Sequence, residues 1–240
     1  MTAQQQKGFL LSRNWRDTPE GIELEFWFAT DDGPLCALVR GERSVFFLPL
    51  SQEAAARDLL AGDPDLEIKP LSLRDFDRQP VLAFYHRSYR RARALADRLR
   101  EAGLDPLEAD INPADRYLME RFVAGGAKLT GEVRSRGGQL WMDNPVIRGN
   151  DYRPALRVVS FDIETAMEGL QLYSIAVHGC DADAEERRVV MLGDGADQPW
   201  VQTVASQDAV LQAFRDWVAH YDPDVLIGWN VINFDTWYLQ

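Results

Sequence analysis

Cysteine is close to missing from this chain: only Cys36 and Cys180 occur in 240 residues. Two cysteines with no paired spacing exclude a disulfide framework and a thiolate zinc site, so a reducing compartment is expected. Histidine is equally sparse. His86, His178 and His220 share no ligand spacing, which argues against zinc chemistry and against a histidine-activated nucleophile. No apolar run approaches the roughly 20 residues that cross a bilayer, and Met1–Lys7 has neither the basic start nor the apolar stretch of a secretion signal. A soluble, cytoplasmic protein with no membrane partner is therefore expected. Basic residues are also short, with 26 Lys+Arg against 38 Asp+Glu and a net charge of −12. The deficit concentrates in residues 151–240, which hold 5 Lys+Arg against 15 Asp+Glu. Such a segment cannot grip nucleic acid alone through counterion release.

Against these absences, two acidic segments stand out. Val158-Val-Ser-Phe-Asp-Ile-Glu-Thr165 is a largely apolar strand that carries Asp162 and Glu164 two residues apart. Strand alternation puts both carboxylates on one face. The apolar residues around them suit burial on both faces, where unpaired carboxylates are costly. Asp222-Pro-Asp-Val-Leu-Ile-Gly-Trp-Asn-Val-Ile-Asn-Phe-Asp235 is a second apolar strand, ending at Gly228, with Asp235 near the start of a helix. If the two strands are neighbours, Asp162, Glu164 and Asp235 converge. Oxygen-only ligands of this kind suit Mg²⁺ or Mn²⁺, and a pair of such ions is a device for phosphodiester hydrolysis.

The remaining pattern is mixed. Residues 9–50 read as short strands with turns, including Glu23–Phe28 and Ser44–Leu48. Helices are expected over Gln52–Ala61, over Ser88–Ala102 with a serine cap, and from Asn112-Pro113 to about Val123. Val81–Tyr85 reads as a strand, and Leu129–Val133 with Gln139–Met142 as a hairpin around Gly137-Gly138. Arg87, Arg90, Arg91, Arg93, Arg98 and Arg100 crowd one helix, but their angular spread fits a solvated face balanced by nearby acids. Asn150–Pro154 is the expected boundary between a domain over 1–150 and another over 151–240. Beyond it come strands at Arg157–Glu164, Gln171–His178 and Arg187–Leu192, then an amphipathic helix at Ser206–His220 and a strand at Val225–Gly228.

Several of these motifs resemble those of the family B DNA polymerases. Asp162-Ile-Glu-Thr165 is similar to the family's first exonuclease motif, and Asn230-x-x-x-Phe234-Asp235 after Asp222-Pro-Asp-Val is similar to its second. Glu108-Ala-Asp-Ile followed by Arg116-Tyr-Leu118 resembles the stretch before the exonuclease domain. Gly8–Gly21 and Asp151-Tyr-Arg-Pro154 are closest to bacterial members. The resemblance implies an α+β N-terminal domain followed by an incomplete α/β ribonuclease H-like 3′–5′ exonuclease domain. It implies that Asp162, Glu164 and Asp235 are catalytic metal ligands for two Mg²⁺ or Mn²⁺ ions. Asn230, Thr165 and Phe234 are the implied DNA neighbours, with Phe234 packing under Asp235. The implied partners are a single-stranded DNA 3′ end, primer–template DNA and the remaining polymerase domains. The family's third exonuclease motif, Tyr-x-x-x-Asp, does not occur before Gln240, so a chain of N-terminal type with little activity of its own is expected. Two alternatives remain: a non-catalytic DNA-binding or scaffold module, and a free-standing ribonuclease H-like nuclease.

Overall fold

The computed structural model describes residues 4–168, 170–181, 184–195 and 197–240. The first three residues of the opening segment, where the 1–150 domain was expected to start, lie outside that set. The chain divides into two compact units, Met1–Pro154 and Ala155–Gln240.

The first unit contains β1 (Gln4–Thr18), β2 (Gly21–Thr30), β3 (Gly33–Glu42), β4 (Ser44–Pro49), α1 (Glu53–Leu59), β5 (Glu67–Arg74), β6 (Pro80–His86), α2 (Tyr89–Glu101) and α3 (Pro113–Met119). It ends with β7 (Gly126–Gly131), β8 (Arg134–Arg136), β9 (Gln139–Asp143) and β10 (Val146–Gly149). A seven-stranded sheet runs β10-β7-β1-β2-β3-β9-β8, and a three-stranded sheet runs β4-β6-β5. Alternation in β2 sends Ile22, Leu24, Phe26 and Phe28 into the core of the larger sheet, where Phe26 stacks on Tyr117 of α3 with ring centroids 5.4 Å apart. On the smaller sheet, Phe46, Leu48, Leu82 and Phe84 meet Leu95 and Leu99 of α2. Asp17 holds the N-terminus of α2 to β1. Its carboxylate accepts from the Tyr89 amide at 2.8 Å, the Arg90 amide at 3.2 Å and the Ser88 hydroxyl at 2.9 Å, which satisfies donors that a helix start leaves open.

Four local expectations are corrected. The opening is one long strand, because a bulge between Leu10 and Ser12 keeps β1 paired with β2 beyond it. β5 was not foreseen. Pro70 interrupts its pattern, and a sheet-edge position tolerates the missing amide. The Gly137-Gly138 turn, with φ of 61° and 80°, joins β8 to β9, whereas Leu129 belongs to β7 between β1 and β10. Finally, α3 stops at Met119, short of Val123, and Phe122 takes a left-handed φ of 55°.

The second unit contains β11 (Val158–Thr165), β12 (Leu172–Cys180), β13 (Glu185–Leu192), β14 (Val201–Val204), α4 (Gln207–Tyr221) and β15 (Val225–Ile227), followed by a π-helical turn, Val231–Asp235, and a single helical turn, α5 (Thr236–Tyr238). Its sheet runs β14-β13-β12-β11-β15, with β11 antiparallel to β12 and parallel to β15. β11 was expected to be buried on both faces and is buried on one. Val159, Phe161 and Ile163 enter the core with Val210 and Trp217 of α4, while Asp162 and Glu164 are exposed on the opposite face. The apolar count of the segment concealed a simple two-face alternation.

The Asp222-Pro-Asp stretch sets how β15 enters the sheet. Asp222 ends α4 in a left-handed conformation, φ 51°, and its carboxylate pairs with the Arg157 guanidinium at 2.8 Å. Asp224 accepts the Arg157 backbone amide at 2.8 Å. Those contacts place Val225 beside Val158. Gly228 then passes so close to β11 that a Cβ there would lie 2.5 Å from the Phe161 carbonyl oxygen. Backbone cannot yield as a flexible side chain can, so Gly228→Ala is expected to destabilise the fold by about 1–3 kcal/mol. Equilibrium denaturation of the two proteins checks this, and equal stability would show that β15 does not press on β11.

Candidate functional site

Two of the residues singled out in the sequence, Asp162 and Glu164, lie on β11, and a third, Asp235, lies near Asp162. Asp162 and Glu164 alternate with the buried Phe161 and Ile163, so their carboxylates emerge from one face of the strand. Ser160, two residues earlier on that face, lies beside Ile227 of β15. Past Gly228 the chain turns at Asn230, whose φ of 59° is left-handed, a conformation that asparagine tolerates better than most residues. The amide of Phe234 donates to the Asn230 carbonyl at 2.9 Å, and the Thr236 hydroxyl donates to the Val231 carbonyl at 2.7 Å. These bonds hold the wide π turn closed, a geometry often found at functional sites.

Its product is a buried acid. Asp235 is 1% exposed, and neither of its carboxylate oxygens has a hydrogen-bond partner among the described residues. Burial pushes its pKa up, and the negative charge of nearby Asp162 adds to the rise. The amides of Asp235 itself and of Ile163 lie close enough to favour the charged form, without reaching hydrogen-bond geometry. A buried carboxylate with both oxygens unsatisfied is costly and offers an open site for a cation.

Asp235 thus lies within electrostatic range of Asp162. Glu164 shares Asp162's face, at the bulge that precedes Thr165, but no three carboxylate, histidine or cysteine side chains among the described residues are grouped closely enough to hold a metal ion. The donor chemistry, all carboxylate oxygen with one orphaned buried member, fits a hard divalent cation. Thr165 is half-buried at the end of β11. Asn230 is exposed and makes no capping bond through its side chain. Phe234, expected to pack under Asp235, lies beside Tyr238 with ring centroids 6.0 Å apart and stays 38% exposed. A groove of about 450 Å³ on the open face of the sheet includes Asp162, His178, Arg187, Arg188 and Trp200. The sequence reading missed Gly228 and Thr236. A glycine ending an apolar strand was a usable signal for the first; nothing local marked the second.

Comparison with known proteins agrees along the chain. Residues 8–42 match the family model for the DNA polymerase II N-terminal region, residues 44–104 that for the DNA polymerase II insertion domain, and residues 107–240 that for the DNA polymerase family B exonuclease domain. DNA polymerase II of Escherichia coli (strain K12) is 42% identical over 98% of this chain, which spans 30% of that protein. The DNA polymerase of Desulfurococcus sp. (strain Tok) is 30% identical over 61% of this chain and 16% of its own length. The fold matches a structure of the family B DNA polymerase from the archaeon Pyrobaculum calidifontis, with TM-score 0.70, 24% identity, and coverage of 97% of this chain and 31% of that one. The 240 residues thus span about a third of the E. coli and P. calidifontis chains, and the matching exonuclease model covers more than half of them: the chain belongs to the family B DNA polymerases.

Proposed function

We propose that this chain supplies the 3′–5′ exonuclease site of a DNA polymerase of the polymerase II type, removing 3′-terminal nucleotides from DNA in the cytoplasm by metal-assisted hydrolysis. One observation carries the reading: the unpartnered, buried carboxylate of Asp235 beside the exposed carboxylate of Asp162. Asp162 and Asp235 would hold Mg²⁺ or Mn²⁺, with Glu164 as a further ligand. When bound, such ions lower the pKa of a water and stabilise the leaving oxygen. Asp162 and Glu164, at the open face of β11, present their oxygens toward solvent and substrate. Asp235, shielded from water, keeps its charge unscreened. Asn230, Thr165 and Phe234 are proposed neighbours of the terminal nucleotide. Asn230 and Phe234 belong to the turn that ends in Asp235, and Phe234 leaves part of its ring free for stacking. Because Glu164 is not drawn into one group with the two aspartates, hydrolysis by the chain alone is expected to be slow. DNA and the remaining polymerase domains are the proposed partners. No helix among the described residues is long and apolar enough to cross a membrane.

Calorimetric titration tests the site. Mn²⁺ is expected to bind the wild-type chain measurably, and Asp162→Ala and Asp235→Ala are each expected to remove that binding. In parallel, Mg²⁺-dependent shortening of 5′-labelled single-stranded DNA should fall roughly 100-fold in Asp162→Ala. Identical titrations and rates would discard the metal site and favour a non-catalytic DNA-binding module.

The raised pKa of Asp235 gives an independent expectation with a definite sign. Its folded-state pKa lies above the unfolded value of about 3.9, so the ionised group destabilises the metal-free fold above the folded pKa. That penalty is relieved as pH falls from the folded pKa toward the unfolded one. Asp235→Asn should therefore stabilise the metal-free protein at pH 7, by about 1–3 kcal/mol, while abolishing metal binding. The difference between the two proteins should shrink toward pH 4. Denaturant titrations across that range decide it, and a variant less stable at pH 7 would contradict a buried, unpartnered charge.

A further inference from the structure

The strand that leads to Asp235 leaves a tryptophan at its end. Ile227 of β15 lies level with Ser160 of β11, and Gly228 lies against Phe161. Continuing that parallel register by one residue brings Trp229 level with Asp162, one strand away, which is about 4.8 Å between backbones. Alternation along β15 puts Ile227 and Trp229 on one side of the strand, the side that Ser160 and Asp162 share on β11. The chain then turns away at Asn230, with its left-handed φ of 59°, so the indole occupies a corner. Trp229 is 92% exposed, and among the described residues its ring meets no other aromatic ring and its indole N–H finds no hydrogen-bond partner.

A lone exposed hydrophobe calls for no explanation, but this one has neighbours and a setting. Ile227 on the same side is 48% exposed and Ile232 in the π turn is 80% exposed, so an apolar ledge runs from β15 into the turn that carries Asp235. Cations are scarce beside it. Of the five basic residues in 151–240, Arg157 pairs with Asp222 and Arg187 with Glu185. A nucleotide at Asp162 and Asp235 therefore lies among acids, where phosphate contacts from Lys and Arg are too few to hold it. Stacking needs no charge, because every base has a π-face that an aromatic side chain can meet. Trp200, the tryptophan of the open-face groove, donates its carbonyl as acceptor to Val189 of β13 and stands three strands from β11, about 14 Å away. Trp229 is the nearer platform.

We propose that the 3′-terminal base of a DNA strand stacks on Trp229 while its phosphodiester lies at Asp162 and Asp235, and that this contact biases the site toward strands ending in a purine. A base and its 5′ phosphate are separated by one sugar, a span comparable with the spacing between neighbouring strands. The larger π-face of a purine gains more from an indole than that of a pyrimidine, so the preference follows from stacking strength and needs no hydrogen-bond readout. The inference rests on the exonuclease reading and adds to it a specificity-determining residue.

An oligothymidylate ending in 2-aminopurine, whose emission is quenched when the base stacks, tests the contact with Mg²⁺ present and before digestion is appreciable. The wild-type chain should quench it, Trp229→Ala should lose most of the quenching, and Trp229→Phe should keep a good part. In the shortening of 5′-labelled single strands, Trp229→Ala should raise KM for a dA end about fivefold to a hundredfold, with kcat changed less. It should also erase a wild-type preference for dA over dT ends of about threefold or more. Because the ring is exposed, the unfolding midpoint of Trp229→Ala should equal that of the wild type. Trp237→Ala removes another exposed tryptophan, two residues past Asp235, and should leave quenching and preference unchanged. Equal losses in the two alanine variants, undiminished quenching in Trp229→Ala, or a lowered midpoint that assigns the ring to packing would overturn the proposal. A failed Mn²⁺ titration with quenching intact would instead discard the metal site and leave the base contact standing.

Discussion

The passage of Gly228 against the Phe161 carbonyl is the constraint on which the second unit depends. Without a Cβ, β15 can lie close enough to β11 for the chain to turn at once through Asn230 and bring Asp235 beneath the strand that carries Asp162. Two upstream contacts prepare that approach. Asp224 fixes the Arg157 amide, and the left-handed Asp222 releases the chain from α4 at the right angle. A residue type at one position thus sets how closely the turn that carries Asp235 follows β11.

The site that results is held at a cost. An ionised Asp235 with no hydrogen-bond partner is disfavoured by burial and by the neighbouring Asp162 charge, and a domain selected only for stability would replace it. A cost of this kind, kept in the fold, is how stability and function usually trade.

Much of this was legible in the sequence. The serine cap of α2, the asparagine cap of α3, the amphipathic α4 and the succession of strands β11, β12 and β13 all follow from patterns of a few residues with a local physical cause. What was not legible depended on tertiary position. Pro70 hid an edge strand because edge and central strands differ only in their neighbours. The single-sided burial of β11 was masked by a run whose polar members, Ser160, Asp162 and Glu164, are interleaved with large apolar ones. The pairing of Leu129 with β1 and β10 was hidden because it joins β7 to strands that are not its neighbours in sequence. Glu164 was expected to join Asp162 and Asp235 in the ligand set. Alternation puts it on the correct face, but the bulge before Thr165 intervenes at the strand end, and strand period alone does not fix how far its carboxylate stands from Asp235.

The most direct measurement of the central claim is the titration of the Asp235 carboxyl carbon by NMR, with and without Mg²⁺. A metal site at Asp162 and Asp235 predicts a midpoint above the ordinary value of about 3.9 in the metal-free protein, lowered when Mg²⁺ is added. An ordinary midpoint that Mg²⁺ does not move would contradict it.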